Sequence, residues 1–212
     1  MSPLEIQAGC LSSETHNNPM TTINKPYWHR RNLPHFEGGA IPQGVTFRLH
    51  DSLPREKVTE MTESILLPGK AAANKEQIRI VNQLLDQGHG AAWIKNPVVA
   101  AIVQNSLLFF NGQRYDLHAW VIMPNHVHVL FTPAESWTLA KILHSWKSFS
   151  AREANKVLGR VGKFWQSEYF DRAIRDEKGF STAVEYIENN PVKAGLCQIA
   201  DEWRFSSAFR KA

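Results

Sequence analysis

The strongest constraint on the fold is a pair of alternating apolar runs on either side of the short segment Met123-Pro124-Asn125. Tyr115–Met123 and His126–Thr132 both alternate as strands do, because successive side chains of an extended chain point to opposite faces. A proline-containing link of three residues predicts a tight turn and therefore a hairpin. The same alternation places His126 and His128 on one face. Two imidazoles one pleat apart can bind a divalent ion, so the hairpin is also a candidate metal site.

The size and composition of the chain predict one main domain with its own core. It has 212 residues, of which 43% are hydrophobic, and a chain of this length can bury a core without a metal or disulfide. Cys10 and Cys197 form no CxxC pair, and the first residues do not resemble a signal peptide. The longest apolar stretch, residues 98–110, is too short to cross a bilayer. We therefore expect a cytoplasmic protein without a membrane span.

The charge is concentrated in one predicted helix. A net charge of +4 and a pI near 9.1 permit nucleic-acid binding without requiring it. Apolar residues recur at helical spacing from Trp137 to Leu158, with Gly159 as a stop signal. The stretch 141–163 has a single acid, Glu153, and six cations: Lys141, Lys147, Arg152, Lys156, Arg160 and Lys163. This side of the helix is either a solvated face or a surface for phosphates.

Before the hairpin, the sequence predicts a tail, a loop, a strand and helices. Residues 1–27 are polar and without periodicity, and residues 32–43 contain two prolines and a Gly-Gly pair. The predicted elements that follow are a strand at Val45–Leu49 and helices at Pro54–Leu66, Asn74–Gln87 and Pro97–Phe110, the last capped by Asn96.

After the basic helix, two short strands and a last helix are predicted. The strands are Phe164–Gln166 and Arg172–Arg175, and the helix runs from Phe180 to Asn190, where Pro191 ends it. The order is strand, helices, strand, strand, helix, strand, helix. This order predicts an α+β protein with a ferredoxin-like, or RRM-like, split β-α-β antiparallel sheet and helices packed on it.

The last helix carries a second pair of candidate residues. Tyr186 and Asn190 are four residues apart, so they are neighbours on one strip of the helix surface. A tyrosine beside an apolar face is also compatible with simple packing, and an asparagine with a helix stop. Tyr169 is a rival nucleophile, although it lies in a predicted loop. Trp165 and Tyr169 are aromatic residues that could instead stack on bases.

Two segments, Ala119–His128 and Tyr186–Leu196, resemble the single-tyrosine HUH transposases, in which U is an apolar residue. Within that family they most resemble the branch associated with repetitive extragenic palindromes (REP). Supporting segments are Val45–Leu49, Phe164–Gln166, Asp171–Arg175 and Trp203–Ser207. The resemblance covers a catalytic domain at residues 28–208, with a helical, less recognisable patch at 51–95. Residues 1–27 and 209–212 remain as flexible tails.

The resemblance implies cleavage and rejoining of single-stranded DNA beside a hairpin or REP-like palindrome. His126 and His128 would hold Mg²⁺ or Mn²⁺, and Tyr186 would form a 5′-phosphotyrosine and leave a free 3′-hydroxyl. Asn190 would be the third ligand, at the position where transposases of related insertion elements usually have glutamine. We expect DNA contacts from Lys141, Lys147, Arg152, Lys156, Trp165, Arg172 and Arg175.

Several alternatives stay open at this point. The protein could be a monomer or a homodimer, with the tyrosine acting in its own site or in its partner's. A prokaryotic, nucleoid-associated location follows from the resemblance. A non-catalytic, domesticated palindrome-binding protein is the main functional alternative, and a replication initiator or relaxase would use the same chemistry. A plain α/β domain would instead point both histidines into an apolar core, far from Tyr186.

Overall fold

The computed structural model describes residues 27–30, 34–37, 39–53 and 80–210. Its strands are β1 (Tyr27–Arg30), β2 (Pro34–Glu37), β3 (Gln43–Arg48), β4 (Tyr115–Ile122), β5 (His126–Pro133) and β6 (Phe170–Ala173). Its helices are α1 (residues 80–86), α2 (Pro97–Leu108), α3 (Leu139–Val157), α4 (Glu177–Glu188) and the single turn α5 (Asn190–Lys193). Short 3-10 turns lie at Trp93–Lys95 and Ala200–Glu202.

Four strands form one antiparallel sheet in the order β4-β5-β3-β6, while β1 and β2 pair with each other. The chain order β3-α2-β4-β5-α3-β6 is that of a split β-α-β sheet. The predicted α+β, ferredoxin-like fold is therefore confirmed.

The two faces of this sheet bury different side chains. Helices α2 and α3 cover one face, where the core includes Phe47 and Trp146. Helix α4 covers the other face, where the core includes Leu130 and Ile187. Because side chains alternate along β5, the even-numbered residues from 126 to 130 all point toward α4. Both histidines of the HxH motif therefore lie between the sheet and α4.

Local sequence signals explain where the long helices begin. Asn96 caps α2 by accepting a hydrogen bond from the Val98 amide at 2.9 Å, with Pro97 as the first helical residue. Thr138 caps α3, and Asp176 caps α4 through the Gly179 amide at 2.6 Å. A side-chain oxygen at the N-cap satisfies a backbone amide that has no partner within the helix.

The structure differs from the sequence predictions at several boundaries. Residues 34–37 form β2 rather than loop, because they pair with β1 and lie beside β6. The predicted strand Phe164–Gln166 is reduced to one bridge between Trp165 and Leu49. Helix α4 begins three residues earlier than predicted, at its Asp176 cap, and Pro191 lies in the first turn of α5 instead of directly ending α4.

Some of the segments predicted from the sequence lie outside the residues that the structure describes. The N-terminal tail up to residue 26, the helix at Pro54–Leu66 and the last two residues lie outside the described residues. Of the helix predicted at Asn74–Gln87, the described part, residues 80–86, is helical. In the part of the chain that the structure describes, no helix combines the length and the apolar character that crossing a membrane would need.

The loop after α1 comes close at Gly90 to Asp51, a residue shortly after β3. A Cβ on Gly90 would lie 2.5 Å from the backbone oxygen of Asp51, and the residue has a φ of +86°. The Asp51 carboxylate accepts a hydrogen bond from the Ala91 amide at 3.0 Å. Both the left-handed backbone and the close approach therefore require glycine here.

We predict that Gly90→Ala destabilises the protein more than Gly112→Ala does. Gly112 also has positive φ, +76°, but a Cβ there would meet nothing within 4 Å, so that control loses only about 1–2 kcal/mol of backbone energy. The clash at Gly90 should cost a further ~1–3 kcal/mol. Urea unfolding of both variants measures the difference. Equal losses would show that the loop simply moves away from Asp51.

A buried histidine ties β2 to β6. His35 Nδ1 lies 2.6 Å from Asp171 Oδ1, and its Nε2 lies 3.4 Å from Glu168 Oε2. The second Asp171 oxygen accepts a hydrogen bond from the Phe36 amide at 2.9 Å. Burial of the ring lowers the pKa of His35, but the hydrogen bonds and charges of Asp171 and Glu168 outweigh burial, and the pKa is raised.

A raised pKa makes this contact depend on pH. The stability that protonated His35 supplies is complete below about pH 6.5, the unfolded value, and is lost as the pH rises through the folded pKa. We therefore expect His35→Gln to lower the free energy of unfolding more at about pH 5.5 than at about pH 8.5. Urea titrations of both proteins at the two pH values give this double difference. An equal effect at both would mean that His35 is not protonated between the carboxylates.

Candidate functional site

The candidate site is built around the two histidines of β5. Their Nε2 atoms lie 3.0 Å apart, with the rings at 84° to each other. His126 has no exposed surface and His128 is 2% exposed. Two nitrogens bound to one cation at about 2.1 Å and at right angles would lie about 3.0 Å apart. The spacing therefore fits two ligands of a single ion.

The ring of His126 is oriented by the residue before it. The Asn125 amide group donates to the backbone oxygens of Leu85 and His89, both at 3.1 Å, which fixes which way the side chain points. Its Oδ1 atom must then accept the 2.7 Å hydrogen bond from His126 Nδ1. Neutral His126 therefore carries its proton on Nδ1, and its Nε2 lone pair is free for a cation.

The ring of His128 is held from the neighbouring strand. Thr46 pairs with His128 across β3 and β5, and its hydroxyl lies 2.7 Å from His128 Nδ1. A hydroxyl can accept from Nδ1–H as well as donate. When the hydroxyl accepts, the Nε2 atom of His128 is also free to bind a cation.

Both histidines are kept neutral. Burial, and secondly the charge of His128, lowers the pKa of His126 well below its usual value. Burial, and secondly the charge of Lys193, lowers the pKa of His128 to about 3. Metal ligation requires neutral imidazole, so burial prepares both rings for it.

Tyr186 faces the histidine pair from α4. Its ring centroid lies 5.5 Å from that of His128, in an edge-to-face arrangement, and Lys193 Nζ lies 4.7 Å from the centre of the Tyr186 ring. Burial, together with the charge of Asp86, raises the pKa of Tyr186 to about 12, while hydrogen bonds from Asn190 and Asn82 act in the opposite direction.

Three side-chain oxygens in the same region have no hydrogen-bond partner in the part of the chain that the structure describes. They are Asn190 Oδ1, Asn82 Oδ1 and Asp86 Oδ1, and all three are buried. Asp86 Oδ1 lies 3.9 Å from His126 Nε2. Buried polar atoms normally have partners, so oxygens left open beside two neutral imidazoles fit the donor set of a hard divalent cation.

The side chains around His126 and His128 also indicate which further ligand a cation would need. Within the described ranges, no three His, Cys, Asp or Glu side chains are grouped closely enough to hold a metal by themselves. A cation between His126 and His128 would therefore also need an amide oxygen or a more remote carboxylate. The 1% exposed Asn190, with its free Oδ1, meets that need.

The structure thus brings together four predicted residues, namely His126, His128, Tyr186 and Asn190. It rules out the alternative in which the histidines are far from Tyr186. Sequence reasoning missed the second set of residues around them: Thr46, Asn82, Asp86, Asn125 and Lys193. The cross-strand partner Thr46 could have been found from the strand register, but α1 carries no motif that points to the site.

Tyr169, the rival nucleophile, lies on the other side of the sheet. It is 9% exposed, belongs to the core beneath α3 and stacks on His35 with ring centroids 4.0 Å apart. The sheet separates it from the face that carries His126 and His128. Of these two tyrosines, Tyr186 is the one that lies beside the two imidazoles.

The predicted DNA-binding residues divide into two groups. Trp165 is 6% exposed and its indole donates to Ser150 Oγ at 2.9 Å, so the prediction that it stacks on bases was wrong. Lys147 Nζ donates to the backbone oxygens of Gln166 and Ser167 at 2.6 and 2.8 Å, which indicates a structural role. The remaining cations are exposed: Lys141, Arg152, Lys156, Arg172 and Arg175.

The positions of these cations relative to the tyrosine also differ. Helix α3 lies on the face of the sheet opposite to α4, so Lys141, Arg152 and Lys156 cannot contact a phosphate bound at Tyr186. Two of them also pair with Glu153, at 2.8 and 3.1 Å. Arg172 lies on the histidine side, because it shares a strand face with Phe170, the partner of Thr46.

Comparison with known proteins finds relatives among the transposases. The family described as Transposase IS200 like matches residues 91–190. A REP-associated tyrosine transposase of Escherichia coli strain K12 is 29% identical over 100 residues, which are 45% of this chain and 56% of that protein. A provisionally named protein of the same class from Haemophilus influenzae is 27% identical over 106 residues, 45% of this chain and 60% of the relative. Over the matched region, the chain is similar to the REP-associated tyrosine transposases.

A solved structure supports the shared fold. It is that of a REP-associated tyrosine transposase bound to a REP hairpin, with a TM-score of 0.52, 18% identity, and coverage of 84% of this chain and 81% of that chain. The sequence matches span between half and two thirds of the length of the two relatives. The transposase match at residues 91–190 includes both histidines, Tyr186 and Asn190 but neither Asp86 nor Thr46.

We predict that Asn125→Ala disturbs the histidine site of this protein as well as its stability. The change leaves three buried groups without partners, which should cost about 2–4 kcal/mol. Without the Asn125 acceptor, His126 should also show a mixture of tautomers, visible in the imidazole ¹⁵N NMR shifts. The control is Asn155→Ala, which removes a donor to the Gly162 oxygen and an acceptor for Arg160 near the end of α3. Unchanged His126 shifts in Asn125→Ala would contradict the orienting role.

Proposed function

We propose that this protein is a transposase and metal-dependent single-strand DNA endonuclease that cleaves and rejoins DNA through Tyr186. One observation carries the proposal, namely the packing of the Tyr186 phenol against two neutral imidazoles whose Nε2 atoms are 3.0 Å apart. The hairpin in the related structure supports a REP-like hairpin as the DNA partner of this chain.

The ligand residues in this proposal are His126, His128 and Asn190, through two nitrogens and one amide oxygen. A bound Mg²⁺ or Mn²⁺ would neutralise charge on the non-bridging oxygens of the scissile phosphate. The chain's own contribution is to keep both rings neutral and correctly oriented, with Asn125 and Thr46 on their outer nitrogens. Water is excluded from the imidazoles by their burial.

Tyr186 would supply the nucleophile. With a pKa of about 12, only about one phenol in 10⁵ is ionised at pH 7, so attack needs charge stabilisation at its oxygen. The Asn82 and Asn190 side chains, which hydrogen bond to the phenol, favour the charged form. In the step, Tyr186 Oη loses its proton to solvent and bonds to phosphorus, the bond from phosphorus to the 3′ oxygen breaks, and the departing 3′ oxygen takes a proton from solvent to become a hydroxyl.

Access to this site requires a local opening. His126 and His128 are at most 2% exposed, and α1 and α4 both lie over their face of the sheet. A phosphodiester therefore reaches the imidazoles only when side chains over this face move aside. The exposed cations Arg172 and Lys193, on this side, are placed to attract the DNA backbone.

We predict that Tyr186→Phe abolishes covalent attachment to DNA. Wild-type protein incubated with a labelled REP-like hairpin oligonucleotide and Mn²⁺ should give an adduct that survives denaturing electrophoresis. Removal of the phenol oxygen should reduce its yield more than ~1000-fold. Tyr169→Phe is the matched control and should retain the adduct, because Tyr169 lies across the sheet.

Two results would contradict the mechanism. An adduct that persists in Tyr186→Phe would assign the nucleophile elsewhere. Salt-sensitive hairpin binding without cleavage in any divalent metal would instead support a non-catalytic palindrome-binding protein.

A further inference from the structure

We propose that Asp86 is an additional residue of the cation site and supplies a carboxylate oxygen to the ion, directly or through one water molecule. The inference rests on the proposed function, since it concerns the same ion. Asp86 lies in α1, outside the region that matches the transposase family. Its assignment therefore comes from the geometry of this chain.

The first observation is that the Asp86 carboxylate is partly buried and, among the described residues, forms no salt bridge with a lysine or arginine. Its Oδ1 is fully buried and has no hydrogen-bond partner among the described residues. The nearest ring nitrogen, His126 Nε2 at 3.9 Å, belongs to a histidine that burial keeps neutral, so the contact is not an ion pair. Lys193 acts on Asp86 only through its charge. A carboxylate in this position is costly unless something else pairs with it.

The second observation is that the fold holds this carboxylate in place. Asn125 donates to the oxygen of Leu85, the residue directly before Asp86. Leu85 and Val81 are buried in a small core with Leu53, against Phe170. The last turn of α1 is therefore fixed by packing and by the same side chain that orients His126. Asp86 stays beside the histidines as a consequence of both contacts.

The third argument concerns the charge of a divalent cation bound in this pocket. Two neutral imidazoles and one amide leave a divalent cation with its full charge in a buried pocket, which desolvation opposes. One carboxylate halves that charge. It also shifts the donor set toward oxygen, which suits Mg²⁺ and Mn²⁺, whereas imidazoles alone suit zinc equally well. Asp86 would thus contribute both affinity and selectivity.

The test is Mn²⁺ binding to the full chain without DNA. Mn²⁺ bound to protein loses the sharp EPR signal of the free ion, so titration gives a dissociation constant independent of cleavage. We expect Asp86→Asn to raise that constant about tenfold or more. The control Asp116→Asn removes an exposed carboxylate from β4 and should leave it within about twofold of wild type.

Two further variants keep the result interpretable. Asp86→Glu retains the charge and should bind Mn²⁺ more tightly than Asp86→Asn. His126→Ala should lose binding whether or not Asp86 contributes. Thermal unfolding without metal checks folding, and Asp86→Asn should be at least as stable as wild type because it removes a buried, unpaired charge.

The Mn²⁺-binding results separate the role of Asp86 from the proposed function. Loss of binding in His126→Ala with unchanged or tighter binding in Asp86→Asn would overturn the role of Asp86 and leave the proposed function standing. Absence of Mn²⁺ binding by the wild-type chain would overturn both. Weaker binding in Asp86→Asn, with the control unchanged, supports the inference.

Discussion

The pairing register of β3 and β5 is the constraint on which the site depends. It places Thr46 opposite His128 and Arg48 opposite His126, all on the face covered by α4. Because side chains alternate with period two, a slip of one residue would turn both imidazoles into the apolar core beneath α2 and α3. The buried alternate residues Val127 and Val129 prevent this slip, since they fill that core. The apolar packing of one face therefore fixes the chemistry of the other.

The sheet face that carries His126 and His128 is held together by polar contacts that contribute little stability. In the described residues around the two rings, the Oδ1 atoms of Asn82, Asp86 and Asn190 lack partners, and both histidines are buried in their neutral form. Such groups lower stability unless a ligand satisfies them. The packing of the opposite face offsets this loss of stability. Its aromatic core includes the Trp146 indole, which donates a hydrogen bond to the Tyr115 hydroxyl at 2.8 Å. The apolar face under α2 and α3 thus stabilises a sheet whose other face carries polar atoms that could bind a cation.

The central hairpin, the long helices and four site residues could be predicted because local signals encode them. Alternation gave the strands, Asn96 gave a helix start, and the HxH spacing placed His126 and His128 on one face. Three features depend on distant contacts instead. Strand β2 forms only by pairing with β1, Trp165 is buried by its bond to Ser150, and Asp86 meets the histidines only because Asn125 holds α1. No local pattern distinguishes these residues from others of their type.

The position of the basic helix limits how a nucleic acid could lie on this protein. The exposed cations of α3 and the phenol of Tyr186 lie on opposite faces of one sheet, so a single short strand cannot contact both directly. Strands β6 and β4 form the two edges of that sheet, and Arg172 of β6 is exposed on the histidine side. A DNA hairpin that bound α3 would therefore have to pass its flanking strand around an edge of the sheet to reach Tyr186. The end of β4 is covered by residues 203–207, and β6 has β2 beside it.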